Sequence, residues 1–451
     1  MKRKMTDVLN GWRSDPNRVC LLVEGARQVG KTYTIDEFAR SGYRHYAHLD
    51  FVANPEYASI FKGSLEARDL LNKISGYFPS FRAEKGESIL FLDEIQACPE
   101  ARTALKPLAV DGTVDVVASG SLLGLSYGGR LTLPVGYERR VGMRSMDFEE
   151  FLWALGVPDG YIEGVRGCVR ERRPLEESVL SRMEHFFTQY VLTGGMPRAV
   201  AALASTNNLG AVREAQTDVI SGYRGDVTLH APDHMKTKVA KCFDSIPAQL
   251  GRRSKKFRFS DVEGKKNVGI REYEDALEWL YDAGIAEFCR CLTQPVRPLE
   301  HNVSDGAFKV YMKDTGLLMC MMGQGTAIGV LNGDRSVSEG AIAENAVGEM
   351  LSKNGAPLLY YERKGKMETD FVLDLGGEIA VAEVKSGSDR RSRSMEALMD
   401  SGWRIDRRIA FEKSNISVDG DGVEHYPMFC AAFLDSMFEA PDLSMSPRGE
   451  R

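Results

Sequence analysis

Gly25-Ala26-Arg27-Gln28-Val29-Gly30-Lys31-Thr32 stands between the apolar run Val19-Cys20-Leu21-Leu22-Val23 and the segment Tyr33-Thr34-Ile35-Asp36-Glu37-Phe38-Ala39-Arg40, whose spacing predicts a helix. Strand, loop, helix is the setting in which the pattern G-x4-G-K-[ST] cradles phosphate. Its glycines let the backbone turn several N–H groups towards one anion, and the helix start adds partial positive charge. Lys31 is expected to reach the β- and γ-phosphates of ATP, and Thr32 to place its hydroxyl on Mg²⁺. The expected nucleotide-binding set is Gly25, Ala26, Arg27, Gln28, Val29, Gly30, Lys31, Thr32 and Tyr33. A Gly-rich surface turn would satisfy the pattern too, but not the strand and helix that flank it.

Ser88-Ile89-Leu90-Phe91-Leu92 reads as a strand buried on both faces of a parallel sheet, and it ends in Asp93-Glu94. Such a strand delivers both acids to the carboxyl edge, beside the phosphate loop. Asp93 suits Mg²⁺, and Glu94 suits the base that orients the attacking water. A third strand, Val114 to Ala118, brings Ser119 and Ser121 to the same edge, where either hydroxyl could sense the γ-phosphate; turn formation also explains both. Arg130, Arg139, Arg140 and Arg144 are candidates for a charge-stabilising finger, Arg139 foremost.

These segments, continued by Asp147-Phe148-Glu149-Glu150-Phe151-Leu152, resemble a large prokaryotic family of AAA+-type ATPases that carry a C-terminal domain of unknown function. The likeness extends to Gly194-Gly195-Met196-Pro197, Tyr223-Arg224-Gly225-Asp226, Phe308 to Leu318, Glu344-Asn345, Thr369-Asp370-Phe371 and Glu383-Val384-Lys385, and so covers nearly the whole chain. The early motifs specify nucleotide binding; the later ones specify the family and no established activity.

With 451 residues, of which 43% are hydrophobic, the chain is expected to form several domains. A net charge of −6 gives no overall attraction to nucleic acid, so any contact with DNA would be local. The basic opening Met1-Lys2-Arg3-Lys4 is not followed by an apolar signal core, and no stretch suits a membrane span, so a cytoplasmic protein without membrane attachment is expected. The eight cysteines lack a C-x-x-C pair, against a disulfide framework or zinc knuckle.

The expected fold is α/β: a P-loop AAA+-like parallel-sheet domain over 1–155, a helical linker over 156–235, a winged-helix-like domain over 236–295, a C-terminal α/β restriction-endonuclease-like domain over 296–438, and a mobile tail over 439–451. In the middle region the basic cluster Arg252, Arg253, Lys255, Lys256 and Arg258 could meet DNA phosphates, or form an ordinary solvated loop. In the last domain Asp370 starts a strand, and Glu383 and Lys385 lie two apart on the next, facing the same way, so a hairpin would bring the three together. This resembles the PD-(D/E)XK nuclease core, in which acids hold Mg²⁺ and the lysine assists water. The resemblance makes Glu344, Asp370 and Glu383 the metal candidates and adds Lys385 as a catalytic one; a structural ion pair is the alternative. Arg390, Arg391 and Arg393 either bind phosphates or open an exposed helix.

Three functions follow as expectations. The first is an ATP-binding, Mg²⁺-dependent ATPase whose nucleotide state controls the C-terminal domain, with a homo-oligomer required if an arginine acts in trans. The second is an ATP-gated, Mg²⁺-dependent DNA nuclease. The third is a non-enzymatic nucleotide switch that presents a winged helix to DNA or to a protein.

Overall fold

The computed structural model describes residues 1–122, 136–252, 254–264, 271–332, 334, 339–363, 367–386, 395, 398, 402–434 and 438. Arg130, Arg253, Arg390, Arg391, Arg393 and the tail 439–451 lie outside the described residues. The chain forms two compact units, each assembled from separate stretches: Met1–Met146, Ser221–Val239 and Asp275–Ile285 in one; Asp147–Ile220, Ala240–Glu274 and Ala286–Arg451 in the other. Consecutive domains, as laid out above, do not have this interleaving. Among the described residues no helix is long and apolar enough to cross a membrane, and all eight cysteines are free and buried.

The first unit is built on β1 (Cys20–Gly25), β2 (His45–Asp50), β3 (Ser88–Asp93), β4 (Asp115–Ser121) and β5 (Glu138–Gly142), all parallel, in the order β2-β3-β4-β1-β5. The central strands are apolar without alternation because both faces are covered: β3 is buried at every residue. Leu22, Leu49, Leu70, Leu90, Leu92 and Leu105 fill the core, each worth roughly 1.5–3 kcal/mol. Register sets Gly25 beside Ser121 and Leu92 beside Ala118, so the ends of β1, β3 and β4 form one rim.

In the second unit β6 (Ala286–Leu292), β7 (Val303–Met312), β8 (Leu359–Arg363) and β9 (Met367–Glu368) form a sheet ordered β7-β6-β8-β9. Another sheet, ordered β10-β11-β12-β14-β13, holds β10 (Phe371–Leu375), β11 (Glu378–Lys385), β12 (Arg407–Glu412), β13 (Ser417–Val418) and β14 (Val423–Pro427). The helix Glu339–Lys353 is buried from Ala341 to Ser352. Its carboxylates Glu344 and Glu349 therefore need partners inside the protein. Phe257-Arg258-Phe259-Ser260 alternates in the manner of a short strand, yet the structure holds one bridge, Lys256 to Lys309, and Phe259 opens the short helix Phe259–Glu263. Asp147 and Glu150 cap the helix Phe148–Ala154 reciprocally.

Candidate functional site

Two backbone features fix the loop after β1. A Cβ at Gly25 would lie 2.2 Å from the carbonyl oxygen of Met143, so close approach of another strand end requires glycine there. Gly30 has φ +95°, which glycine adopts freely, and it leads into the helix Lys31–Gly42. Lys31 is buried, and its ammonium donates to the carbonyls of Gly25 and Ala26, each at 3.0 Å. Burial lowers its pKa, against the opposing pull of Glu94 and Asp93. Tyr33, just inside the helix, is 59% exposed.

Asp93 is 1% exposed, at the end of β3. Burial alone would raise its pKa, but hydrogen bonds from His48, Ser119 and Thr32 outweigh this and hold the carboxyl below its ordinary value. The His48 contact is 3.2 Å. Thr32 thus helps hold the Asp93 carboxyl charged, and their hard oxygens suit Mg²⁺, which takes a few protein ligands beside phosphate oxygens and water. Glu94 follows in left-handed backbone, φ +53°, an uncommon conformation for a side-chain-bearing residue and one that clusters at functional sites. Its carboxylate accepts from Gln96 at 2.5 Å, and its backbone N–H reaches the Ser119 hydroxyl at 3.2 Å. Ser119 itself donates to Asp93, so its hydroxyl braces the two acids.

Sequence reasoning overlooked two groups. Arg3, part of an opening read only as basic, is buried and donates to the carbonyl of Val29 at 2.7 Å and to that of Arg144 at 2.8 Å, bracing the loop from below. Asp226, quoted above without a role, is buried and pairs with the loop's Arg27 at 2.6 Å; His230 lies 3.1 Å from the same guanidinium. Burial raises the Asp226 carboxyl, and Arg27 opposes that shift. Gly284 also touches the loop: at φ +74°, a Cβ there would meet that of Ala26 at 3.1 Å.

Arg139 is exposed on the edge strand β5, in register with Leu21 and so four residues back from Gly25. At about 3.3 Å per residue that is roughly 13 Å from the loop, too far to serve it within one chain. Arg140 pairs with Glu138 at 2.9 Å.

In the second unit the register of β10 with β11 aligns Asp370 towards Glu383, and Asp370 accepts from the backbone N–H of Val384 at 2.9 Å. Lys385 follows two residues after Glu383, on the same side of β11. Glu344 joins from the helix Glu339–Lys353, but a group the sequence did not suggest lies between the acids. Lys309, on β7 and fully buried, places its ammonium 3.0 Å from Glu344, 3.1 Å from Glu368 and 3.7 Å from Asp370, and 4.8 Å from the centre of the Tyr360 ring. Lys255 and Tyr311 also hydrogen-bond Glu344. Burial opposes the charge on Lys309, but Glu344, Asp370 and Glu368 outweigh it and keep the amine protonated. Burial raises the Glu344 carboxyl, Lys309 and Lys255 lower it, and the net is a fall to about 2. Burial and the Glu344 charge push Asp370 up to about 7. These residues do not fit Mg²⁺: a dication and an ammonium about 4 Å apart repel by roughly 8 kcal/mol at an effective dielectric of about 20. Among the described residues no group of three or more His, Cys, Asp or Glu is arranged to hold a metal ion.

The basic cluster of the middle region is largely neutralised within the unit. Arg252 pairs with Asp261, Lys255 with Glu344 and Lys256 with Glu362, while Arg258 is exposed.

Three family profiles match separate stretches of the chain. The profile of an AAA domain matches residues 17–152; two domains of unknown function, DUF8612 and DUF4143, match 184–327 and 339–428. No curated protein matches. Among solved structures, the Walker-type ATPase of Pyrococcus abyssi aligns at 13% identity and a TM-score of 0.41, over 71% of this chain and 95% of that one. The ORC1 protein of Aeropyrum pernix, solved in complex with DNA, aligns at 12% and 0.28, over 76% and 91%. A signal-transduction ATPase with a tetratricopeptide repeat sensor from Pyrococcus horikoshii aligns at 12% and 0.27, over 78% and 45%. Residues 17–152, with the parallel sheet and the loop at its rim, form an AAA-type P-loop ATPase-like domain.

Proposed function

We propose that the chain binds and hydrolyses ATP at the rim of the parallel sheet. The observation that carries this reading is the shared rim of β1, β3 and β4, where the loop with buried Lys31 stands beside buried Asp93, held below its ordinary pKa, with Glu94 next in the chain. Lys31 exchanges the carbonyls of Gly25 and Ala26 for β- and γ-phosphate oxygens, which removes the cost of its burial. Thr32 and Asp93 would hold Mg²⁺, whose charge would offset the negative charge of the phosphates. Glu94 orients the attacking water and takes its proton, while Ser119 keeps both acids in place.

Nucleotide occupancy is read out through Arg27, which meets phosphate while keeping Asp226, and through the turn at Gly284, which precedes β6. The element order around β6 supports a winged helix: the helix Lys236–Leu250, the bridge at Lys256, the helices Phe259–Glu263 and Arg271–Asp282, then the β6–β7 hairpin. With Arg252, Lys255 and Lys256 paired internally, a protein is a better partner for it than DNA. The hairpin placement of Asp370, Glu383 and Lys385 favours a nuclease-like fold for the C-terminal part, but Lys309 argues against the metal that cleavage would need.

Phosphate release and thermal melting test the main reading. Mg-ATP at about a hundred times its dissociation constant is expected to stabilise wild type by about 2.7 kcal/mol, and Lys31→Ala not at all. Glu94→Gln is expected to keep the melting shift while losing about 10²- to 10⁴-fold in turnover. An equal shift in wild type and Lys31→Ala would refute the site.

A further inference from the structure

We infer that Lys309 is the resident cation of the C-terminal carboxylate site, so that this unit is completed by its own ammonium and takes no divalent ion. The nuclease-like arrangement implies a metal among Glu344, Asp370 and the acid across the hairpin. What those positions surround is a side chain from a different sheet.

The geometry is that of a filled cation site. A single Nζ lies within ion-pair distance of carboxylates from three places in the fold: the helix Glu339–Lys353, the end of β9 and the start of β10. The Tyr360 ring adds a cation–π contact at 4.8 Å. Lys309 is 0% exposed, so its charge is not shared with water, and Lys255 brings a second ammonium to the other oxygen of Glu344. Charge accounting agrees. Glu344 and Glu368 balance Lys309 and Lys255, which leaves at most the single charge of Asp370 unmatched. A divalent ion would bring two positive charges to a site with no more than one negative charge to spare.

Lysine is also suited to the task mechanically. It arrives from β7, whose neighbour in the sheet is β6, and it ties that strand to the helix behind Glu344. The ammonium thus links the two sheets of the unit through one buried point. A metal would do the same only where the concentration of free ion allowed.

Mn²⁺ binding followed by electron paramagnetic resonance on the full chain without nucleotide tests this, with Asp93→Asn present throughout to remove the loop's contribution. In that background the expected result is no Mn²⁺ bound at the C-terminal site, and the same melting temperature in Mn²⁺ and in chelator. Lys309→Ala is expected to melt lower in chelator, to gain one Mn²⁺ site and to recover part of its melting temperature with Mn²⁺; adding Asp370→Asn abolishes both gains. Mn²⁺ bound with Lys309 intact but lost on adding Asp370→Asn would overturn the inference, as would a folded Lys309→Ala chain that gains no Mn²⁺. If Lys309→Ala does not fold, the Lys309-containing pair with and without Asp370→Asn decides alone. Loss of ATP binding at Lys31 would leave all these outcomes unchanged, so the two proposals fail separately.

Discussion

Arg27 occupies one of the variable positions of the phosphate loop, and its guanidinium spans to Asp226 at 2.6 Å. Asp226 is 4% exposed and Arg27 39%, so the carboxylate is much the more dependent partner. Removing the arginine leaves a buried charge without its counter-ion, a loss of about 3–5 kcal/mol for a fully buried pair and less here because solvent screens Arg27. Arg27→Ala is therefore expected to destabilise by roughly 1–3 kcal/mol, and Arg27→Ala with Asp226→Asn by clearly less. Thermal melting of the cycle checks this; equal losses in the single and double variants would refute the pairing as a stabilising contact. Lys31, Thr32, Asp93 and Glu94 could be singled out in the sequence because each belongs to a local pattern set by its neighbours. Asp226, Arg3 and Lys309 were not. Their partners are set by folding, and a lone acid or base in sequence carries no sign of which opposite charge it will meet.

At the scale of elements, the helix Thr315–Met322 begins at Asp314, whose carboxylate accepts from the N–H groups of Leu317 at 3.1 Å and Gly195 at 2.8 Å. Burial and the nearby charge of Glu349, against the opposing effect of Lys353, push this carboxyl up to about 6, from an ordinary value of 3.8. Between those values the folded state retains a proton that the unfolded state has lost, so the contribution of Asp314 to stability is greatest at low pH and declines as pH rises to about 6. Relative to Asp314→Asn, wild type is expected to lose on the order of 1–3 kcal/mol between pH about 4 and about 6, and nothing further above that. Urea midpoints across this range measure it; parallel curves for the two proteins would contradict the assignment. Element types followed readily from periodicity: β3 from its unbroken apolar run, and the helix Glu339–Lys353 because Ala341 to Leu351 has helical spacing. That this helix is buried from Ala341 to Ser352 did not, since Glu344, Asn345 and Glu349 look like a polar face until their partners are known. Phe257 to Ser260 misled for a related reason: alternation suggested a strand, but Phe257 and Phe259 pack with Phe308 while the backbone turns into a helix.

For the whole molecule the least legible feature was that the first unit recruits Ser221–Val239 and Asp275–Ile285 from far along the chain. Composition changes mark where a chain turns, not which distant segment returns to an earlier sheet, so a reading in consecutive domains could not find it. The recruitment has a consequence for nucleotide binding. Asp226 and Gly284 lie in those recruited stretches, and both touch the loop, one through Arg27 and the other through Ala26. If Mg-ATP engages Lys31 and the outer donors of Arg27 while Arg27 keeps Asp226, the loop becomes ordered and these contacts tighten with it. Local opening should then fall in all three places together. Hydrogen exchange is expected to slow on addition of Mg-ATP in residues 25–33, and also in 221–230 and 282–285, while Lys31→Ala shows no change in any of them. The sign is set at the loop, where the nucleotide adds contacts, and is carried outward by direct packing. Protection confined to 25–33 would show that the two recruited stretches only support the loop and do not respond to its occupant.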